Sequence, residues 1–396
     1  MSSTDRKISI IGGCGHVGLP LAVTLAAKGC DVTIVDIDAN AVAAVNAGKV
    51  GFVERGAEEL LRRHIGRNLR ATTESEGVVG TDVVICVVGT PIDEHLNPQV
   101  NKLRLVVEQL RGYLRAGQLF VLRSTVFPGA TQHFARWLED RIPGMDLAFC
   151  PERVAQGYAV EEIGSLPQIV SGVTPRALAR ARALFELVAA EIVELSTTEA
   201  ELGKLFCNAW RYISFGVANQ FYSLCADNNI DYARVHAAIC KDYPRMRGLP
   251  GAGLAAGPCL FKDTMQLAAF YQNNFSLGQA AMLVNEGLPR LLVGQMRRLG
   301  LATKTVGILG MAFKADNDDT RESLAFKLKK LLELECRRVL CTDPLVKGDW
   351  LLPLEQVLDE ADALIVGAPH SSYRDLAPRQ PVLDPWNLLG RGGLLA

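Results

Sequence analysis

Residues 7–18 read KISIIGGCGHVG, an apolar strand-like run that ends in a glycine-rich turn. Downstream come a small-residue helical stretch, PLAVTLAAKG at 20–29, and a second apolar run, DVTIVDID at 31–38. Continuous apolar runs of this length, separated by helix-like segments, are what strands buried on both faces of a parallel sheet require. Gly13, Gly15 and Gly18 fall at GxGxxG spacing between strand and helix, with His16 and Val17 inside the turn. There the backbone can approach a pyrophosphate lying on the helix N-terminus. Asp36 closes the next strand, where a carboxylate accepts from ribose hydroxyls and repels a 2′-phosphate. The expected cofactor is NAD, in a Rossmann-like domain.

The same rhythm continues through DVVICVVGTP at 82–91, GQLFVLRST at 117–125, MDLAFCPE at 145–152 and PQIVSG at 167–172, so the first domain is expected to span 1–196. Thr90 and Pro91 sit at a strand's carboxyl end and read equally as a simple turn or as cofactor contacts. From 197 to 298 strand-like runs vanish, and apolar residues recur at helical spacing through AELGKLFCNAWRYISFGVANQFYSLCADNN at 200–229. A helical middle domain with one long helix is expected, apolar on more than one face and so suited to a dimer. From 299 to 396 the opening theme returns: TKTVGILGMAF at 303–313, RRVLCTDP at 337–344 and ADALIVGAPH at 361–370. This second Rossmann-like domain lacks a full glycine fingerprint, so only the first is expected to hold a dinucleotide. The fold class is therefore α/β, two doubly wound domains joined by a helical one.

Forty-two basic against forty-three acidic residues, net charge −1, leave no electrostatic footprint for nucleic acid or an anionic membrane. No apolar stretch approaches the ~20 residues of a membrane helix, and MSSTDRK lacks the apolar core of a leader, so a cytoplasmic location is expected. The ten cysteines show no paired or zinc-like spacing and read mostly as reduced core residues, with no metal expected. Cys259 differs from the rest. It sits in GAGLAAGPCLFKD, between a glycine-rich loop and the Lys262–Asp263 pair, where loop amides and an ammonium can supply positive potential. Lys204 and Asn208, four apart on the long helix, share a face and can stabilise an oxyanion, although Lys204 alone reads as a solvated lysine.

GGCGHVGLPLA, VGTP, STVFPG, PER, ELGKLFCNA, GPCLFKD and GMAFKADNDDTRES occur in this order along nearly the whole chain. Together they resemble the UDP-glucose/GDP-mannose dehydrogenase family. The resemblance implies NAD-dependent, four-electron oxidation of a nucleotide-sugar C6 hydroxyl to the uronate, through a thiohemiacetal and a thioester on Cys259. It implies three domains, binding NAD, dimerising and binding UDP. Asp263 resembles the family's carboxylate beside the thiol, with a helix N-cap as its alternative role. Glu152 resembles a glutamate assisting thioester hydrolysis, and Thr125 a water-holding and cofactor-contacting threonine. Glu152, Arg153 and Val154 open the stretch that wraps the sugar nucleotide, and Lys204, Asn208, Gly253, Gly257 and Lys314 complete its surroundings. Arg245 or Arg247 resembles an arginine reaching the neighbouring subunit's substrate. Asn219 reads as helix packing or a lesser contact, and Arg321 as structuring its own acidic loop.

Departures from the family pattern bear on the sugar. Ala255 and Ala256 alter the glycine loop, and Trp386 in DPWN stands where many members carry an arginine, removing a bidentate anion contact. Ala41 and Gln220 replace a common basic residue and a common glutamate. PER points to UDP-N-acetylhexosamines and Lys262–Asp263 to UDP-glucose, so the sugar stays open. Two other readings compete: a 3-hydroxy-acid dehydrogenase of the 6-phosphogluconate type, which has no use for Cys259 or a second Rossmann-like domain, and a non-catalytic NAD-binding regulator.

Overall fold

The computed structural model describes residues 6–90 and 101–395, which resolve into two compact units meeting within one helix, Met1–Cys207 and Asn208–Ala396. The first unit runs β1 (Lys7–Ile11), α1 (Gly18–Ala27), β2 (Asp31–Val35), α2 (Ala39–Asn46), α3 (Ala57–His64), β3 (Leu69–Thr72), β4 (Val83–Cys86), α4 (Asn101–Leu110) and β5 (Leu119–Leu122). It continues through α5 (Ala130–Glu139), β6 (Asp146–Phe149), α6 (Ala159–Ser165), β7 (Gln168–Gly172), α7 (Pro175–Phe185) and β8 (Ile192–Glu194) into α8 (Thr197–Asp227). Strand order is β3-β2-β1-β4-β5-β6-β7-β8, so the order reverses between β1 and β4. In open α/β sheets, ligands bind beyond the strand carboxyl ends at such a reversal. β4, β5 and β6 are buried at every position, as two-sided coverage demands.

One expectation is corrected. PQIVSG does extend the sheet, but β7 runs antiparallel to β6, and β8 follows β7 in parallel. Arg123, just past β5, explains the reversal: its guanidinium holds the Cys150 carbonyl, Glu152 and the Gln168 side chain together. The segment between β6 and β7 thus stays at the carboxyl edge, and the chain re-enters the sheet from there.

In the second unit the rest of α8 is followed by α9 (Tyr232–Cys240), α10 (Leu260–Phe270), α11 (Ser276–Met296), β9 (Thr305–Leu309), α12 (Leu324–Glu333), β10 (Arg338–Thr342), α13 (Leu354–Glu360), β11 (Ala363–Val366) and β12 (Val382–Leu383). Its parallel sheet has the order β10-β9-β11-β12. Tyr222 of α8, Leu288 and Leu292 of α11, and Ile308 and Ile365 of the sheet share one core. The helical region and second sheet are therefore packed as one body. No helix among the described residues is long and apolar enough to cross a membrane.

Candidate active site

The first unit builds a dinucleotide cradle at β1–α1. A Cβ on Gly18 would lie 2.4 Å from Gly13 Cα, so a side chain there would force the helix off the strand turn, while a Cβ on Gly13 would meet the Ile10 carbonyl and the Ile34 side chain at 2.9 Å. Gly15 is different. It is exposed, and a Cβ there would meet nothing within 4 Å, which leaves the backbone open to a ligand. Helix α1 begins without a side-chain cap, after Val17, and without an acidic residue in its first turn, so its leading amides suit an anion. The His16 ring packs on Phe52 at 4.0 Å between centroids, beside this turn. Asp36, half-buried, accepts from the Cys14 amide at 2.9 Å and the Asp38 amide at 3.1 Å, which fixes its carboxylate beside the glycine turn. Across the sheet reversal the Thr90 hydroxyl donates to the Thr125 carbonyl, tying the ends of β4 and β5 together. Pro91 lies outside the described residues.

Glu152 is held by a network that motif reading alone does not show. One oxygen pairs with Arg123, whose side chain is 1% exposed, and the other accepts from the Arg153 and Val154 amides at 2.6 and 2.8 Å. Its carboxylate thus shapes the first turn of the 152–158 segment. The Arg153 guanidinium donates to the Pro167 carbonyl, closing that segment's far end. Lys204 is half-buried on α8. One turn earlier the buried carboxylate of Glu201, pushed up by burial, accepts from the Gly129 and Thr131 amides at 2.6 and 2.7 Å, anchoring the STVFPG loop and the start of α5.

The second unit assembles the thiol and its surroundings. Cys259 is exposed at the N-terminus of α10, whose first-turn amides favour negative charge on sulfur. Asp263 is not the N-cap, because the helix starts three residues earlier, at Leu260. Instead it lies one turn below Cys259, its amide bonded to the Cys259 carbonyl at 2.9 Å, with its side chain fully buried. Asn208 donates to one Asp263 oxygen at 2.6 Å, and the Lys262 ammonium pairs with the other at 2.7 Å. Burying a carboxylate without such partners would cost several kcal/mol. The structure therefore brings Cys259, Asp263 and Asn208 together.

The loop before Cys259 is gripped from within. Asn219, 1% exposed, donates to the Gly253 carbonyl at 3.0 Å and accepts from the Gly253 amide at 2.9 Å. Asn285 buttresses it, accepting at 2.9 Å and donating to the Tyr212 carbonyl at 3.0 Å. The only sequence signal for this clamp is two asparagines among apolar helical neighbours. Gly257 packs under the Phe313 ring, with Lys314 beside it, half-buried, and Arg321 is bidentate to Asp319. Arg245 and Arg247 are exposed around the turn at Pro244–Met246 and join none of these clusters in their unit.

Three domain models of one family match consecutive stretches covering most of the chain: the NAD binding domain at 6–189, the central domain at 198–287 and the UDP binding domain at 307–391. The chain belongs to the UDP-glucose/GDP-mannose dehydrogenase family. It is similar to an NDP-N-acetyl-D-galactosaminuronic acid dehydrogenase of Ralstonia nicotianae, at 29% identity over 94% of this chain and 92% of the relative. Its structure resembles that of a UDP-N-acetylmannosamine dehydrogenase from Pyrococcus horikoshii, with TM-score 0.90, 27% identity and coverage of 97% and 96% of the two chains. A UDP-glucose dehydrogenase from Pyrobaculum islandicum aligns with TM-score 0.89, 28% identity and coverage of 97% and 95%. The site is accordingly that of an NAD-dependent nucleotide-sugar dehydrogenase, and the family's UDP binding domain removes the hydroxy-acid dehydrogenase alternative. The open Gly15 backbone, the uncapped α1 start and the Asp36 carboxylate fit the family's cofactor.

Proposed function

We infer that this enzyme oxidises the C6 hydroxyl of a UDP-N-acetylhexosamine to the uronate in two steps through a thioester on Cys259. The observation that carries the reading is an exposed thiol at a helix N-terminus, one turn above a fully buried carboxylate held by Asn208 and Lys262. NAD, when bound on Gly13, Gly15, His16, Val17, Gly18, Asp36, Thr90, Pro91 and Thr125, supplies the hydride acceptor. Lys204 and Asn208 hold the alkoxide that develops as the C6 hydroxyl gives up its proton. Cys259 sulfur then adds to the aldehyde carbon. Loss of a second hydride, which a second NAD would accept, turns this thiohemiacetal into a thioester, which water attacks to release uronate and free thiol. Thr125 and Asp263 orient that water, and the Asp263 carboxylate takes its proton. Glu152 helps to position the same water, and through the Arg153 and Val154 amides it shapes that loop around the sugar nucleotide.

The names of the Ralstonia and Pyrococcus horikoshii relatives support an N-acetylated sugar, and PER supports the same branch. Gly253, Gly257 and Lys314 complete the substrate's surroundings, and Arg245 or Arg247 reaches the site of a neighbouring subunit. Exposed Trp210, Val217, Phe221 and Leu224 on α8, with Leu277 and Leu283 on α11, support a dimer through the helical region. The family models at 6–189, 198–287 and 307–391 support a division into domains at 1–196, 197–298 and 299–396, and the enzyme is proposed to be cytoplasmic. The test is to follow NADH and uronate with UDP-N-acetylmannosamine, UDP-N-acetylgalactosamine, UDP-N-acetylglucosamine and UDP-glucose. Two NADH per uronate are expected, with steady turnover abolished in Cys259→Ser. One NADH per sugar with a free aldehyde would refute the thioester.

A further inference from the structure

We propose that Trp386 is a positioning residue for Cys259, its indole serving as a seat for the loop that delivers the thiol. This rests on the reading of Cys259 as nucleophile only in its consequence for turnover. Gly253 has φ +152, and a Cβ there would lie 2.2 Å from indole Cε3 and 2.3 Å from Cζ3. The benzo edge of Trp386 therefore lies flat on the Gly253 backbone. Asn219 holds the same residue by both its amide and its carbonyl. One glycine is thus fixed by two hydrogen bonds and by a ring, six residues before Cys259.

Shape, not polarity, makes the seat: indole Nε1 is buried with no hydrogen-bond acceptor. The ring is itself well supported. Asp384, 2% exposed, accepts from the Trp386 and Leu389 amides, and Asn387 after it adopts a left-handed φ of +52. This left-handed turn holds the segment after the ring in one conformation. A second ring repeats the arrangement, because Phe313 lies on Gly257, two residues before the thiol, where a Cβ would meet its ring at 2.7 Å. The loop 253–257 thus rests on aromatic residues that follow β12 and β9. At position 386 an arginine, the common family residue, would present a charged, flexible chain to that glycine in place of a flat apolar surface.

The test reads thiol placement directly, by the rate at which iodoacetamide alkylates the Cys259 peptide in the full-length protein, beside kcat and KM. In Trp386→Ala alkylation should slow by about fivefold, as the sulfur loses its alignment with the α10 amides. Turnover should fall by about tenfold or more, with KM changed far less. Trp386→Phe, which retains a ring, should restore both to within about twofold of wild type, and Trp386→Leu carries the same test should Trp386→Ala not fold. Leu389→Ala is the control, because Leu389 packs on the same core as Trp386 without touching Gly253. It should lower thermal stability yet leave alkylation unchanged. Alkylation unchanged or faster in Trp386→Ala, or slowed equally in Leu389→Ala, overturns the proposal. Slowed alkylation with full turnover upholds the seat and counts instead against Cys259 as nucleophile.

Discussion

Asp36 and Asp343 each close the second strand of a parallel sheet and accept from amides in the loop after the first strand, yet one is half-exposed and the other is sealed. Asp36 takes one loop amide, from Cys14, and one from Asp38, which leaves acceptor capacity on an open carboxylate. Asp343 takes four amides, from Met311, Ala312, Leu345 and Val346, and in addition His370 Nε2 at 3.1 Å. His370 Nδ1 accepts from the Asp316 amide at 3.0 Å, so Nε2 carries the proton it gives to Asp343. With no lone pair left over, Asp343 cannot receive ribose hydroxyls. One topology, used twice, leaves an open carboxylate in the first sheet and makes an internal fastening in the second.

The largest expected effect breaks that fastening. Burial pushes the Asp343 carboxyl up, but the hydrogen bond from His370 and the amides of Val346 and Leu345 oppose it, and the group is held down at about 2. Asp343→Ala should cost about 3–5 kcal/mol, read as a lowered urea midpoint, because four amides and an imidazole lose a shared buried acceptor. The pH dependence follows in sign. A depressed carboxyl stabilises the fold fully above its ordinary value near 3.8, and this is lost as pH falls through about 2. Wild type should therefore lose about 2 kcal/mol across that window, and Asp343→Asn should lose correspondingly less. Equal acid sensitivity in the two proteins would show that the fastening is not electrostatic.

The contrast between the two acids also marks what the sequence could tell. Strands β1, β2 and β4 are legible because burial on both faces forces uninterrupted apolar runs, and the glycine turn is legible because its spacing serves a contact within five residues. The recurrence of the pattern at 303–370 was equally visible, but not that Asp343 is sealed, since His370 arrives from beyond a different strand. Direction in β7 was illegible for a similar reason: it depends on Arg123 gathering groups from 150 and 168. Only the alternative role of Asp263, a helix cap, fails, because local pattern puts the helix start too late. Cys259, Asn208 and Asp263 stand out by motif, whereas Asn219 and Asn285 show only as asparagines in helical stretches, and their partners lie far along the chain.

Asp36 should show the next largest effect, and on ligand choice more than on stability. With the cofactor on Asp36 as proposed, its carboxylate would face a 2′-phosphate, so Asp36→Asn should raise the NADP-to-NAD ratio of kcat/KM by about tenfold, about 1.4 kcal/mol. Unfolding should shift by about 1 kcal/mol or less, since only the Cys14 and Asp38 amides lose a charged acceptor. A stability loss as large as that of Asp343→Ala, with cofactor preference intact, would make the two acids alike and dissolve the distinction.

The smallest expected change in stability belongs to Gly15→Ala, and it separates ligand space from packing space within one turn. Gly18 is a glycine because the helix must touch the strand turn, with only 2.4 Å to Gly13 Cα for an added Cβ, so Gly18→Ala should destabilise the fold by about 1–3 kcal/mol. Gly15 has no such constraint: it is exposed, its Cβ position is open, and its φ is not in the left-handed region. Alanine there should leave the unfolding midpoint within about 0.5 kcal/mol of wild type. NAD affinity, measured by calorimetry without substrate, should nonetheless fall by about tenfold or more, because the methyl occupies the path by which the backbone approaches the pyrophosphate. The second sheet supplies the reference, since its corresponding loop carries Met311 and Ala312, whose amides are spent on Asp343. Unaltered NAD binding in Gly15→Ala would mean that the open side of the first glycine turn is not where the dinucleotide lies.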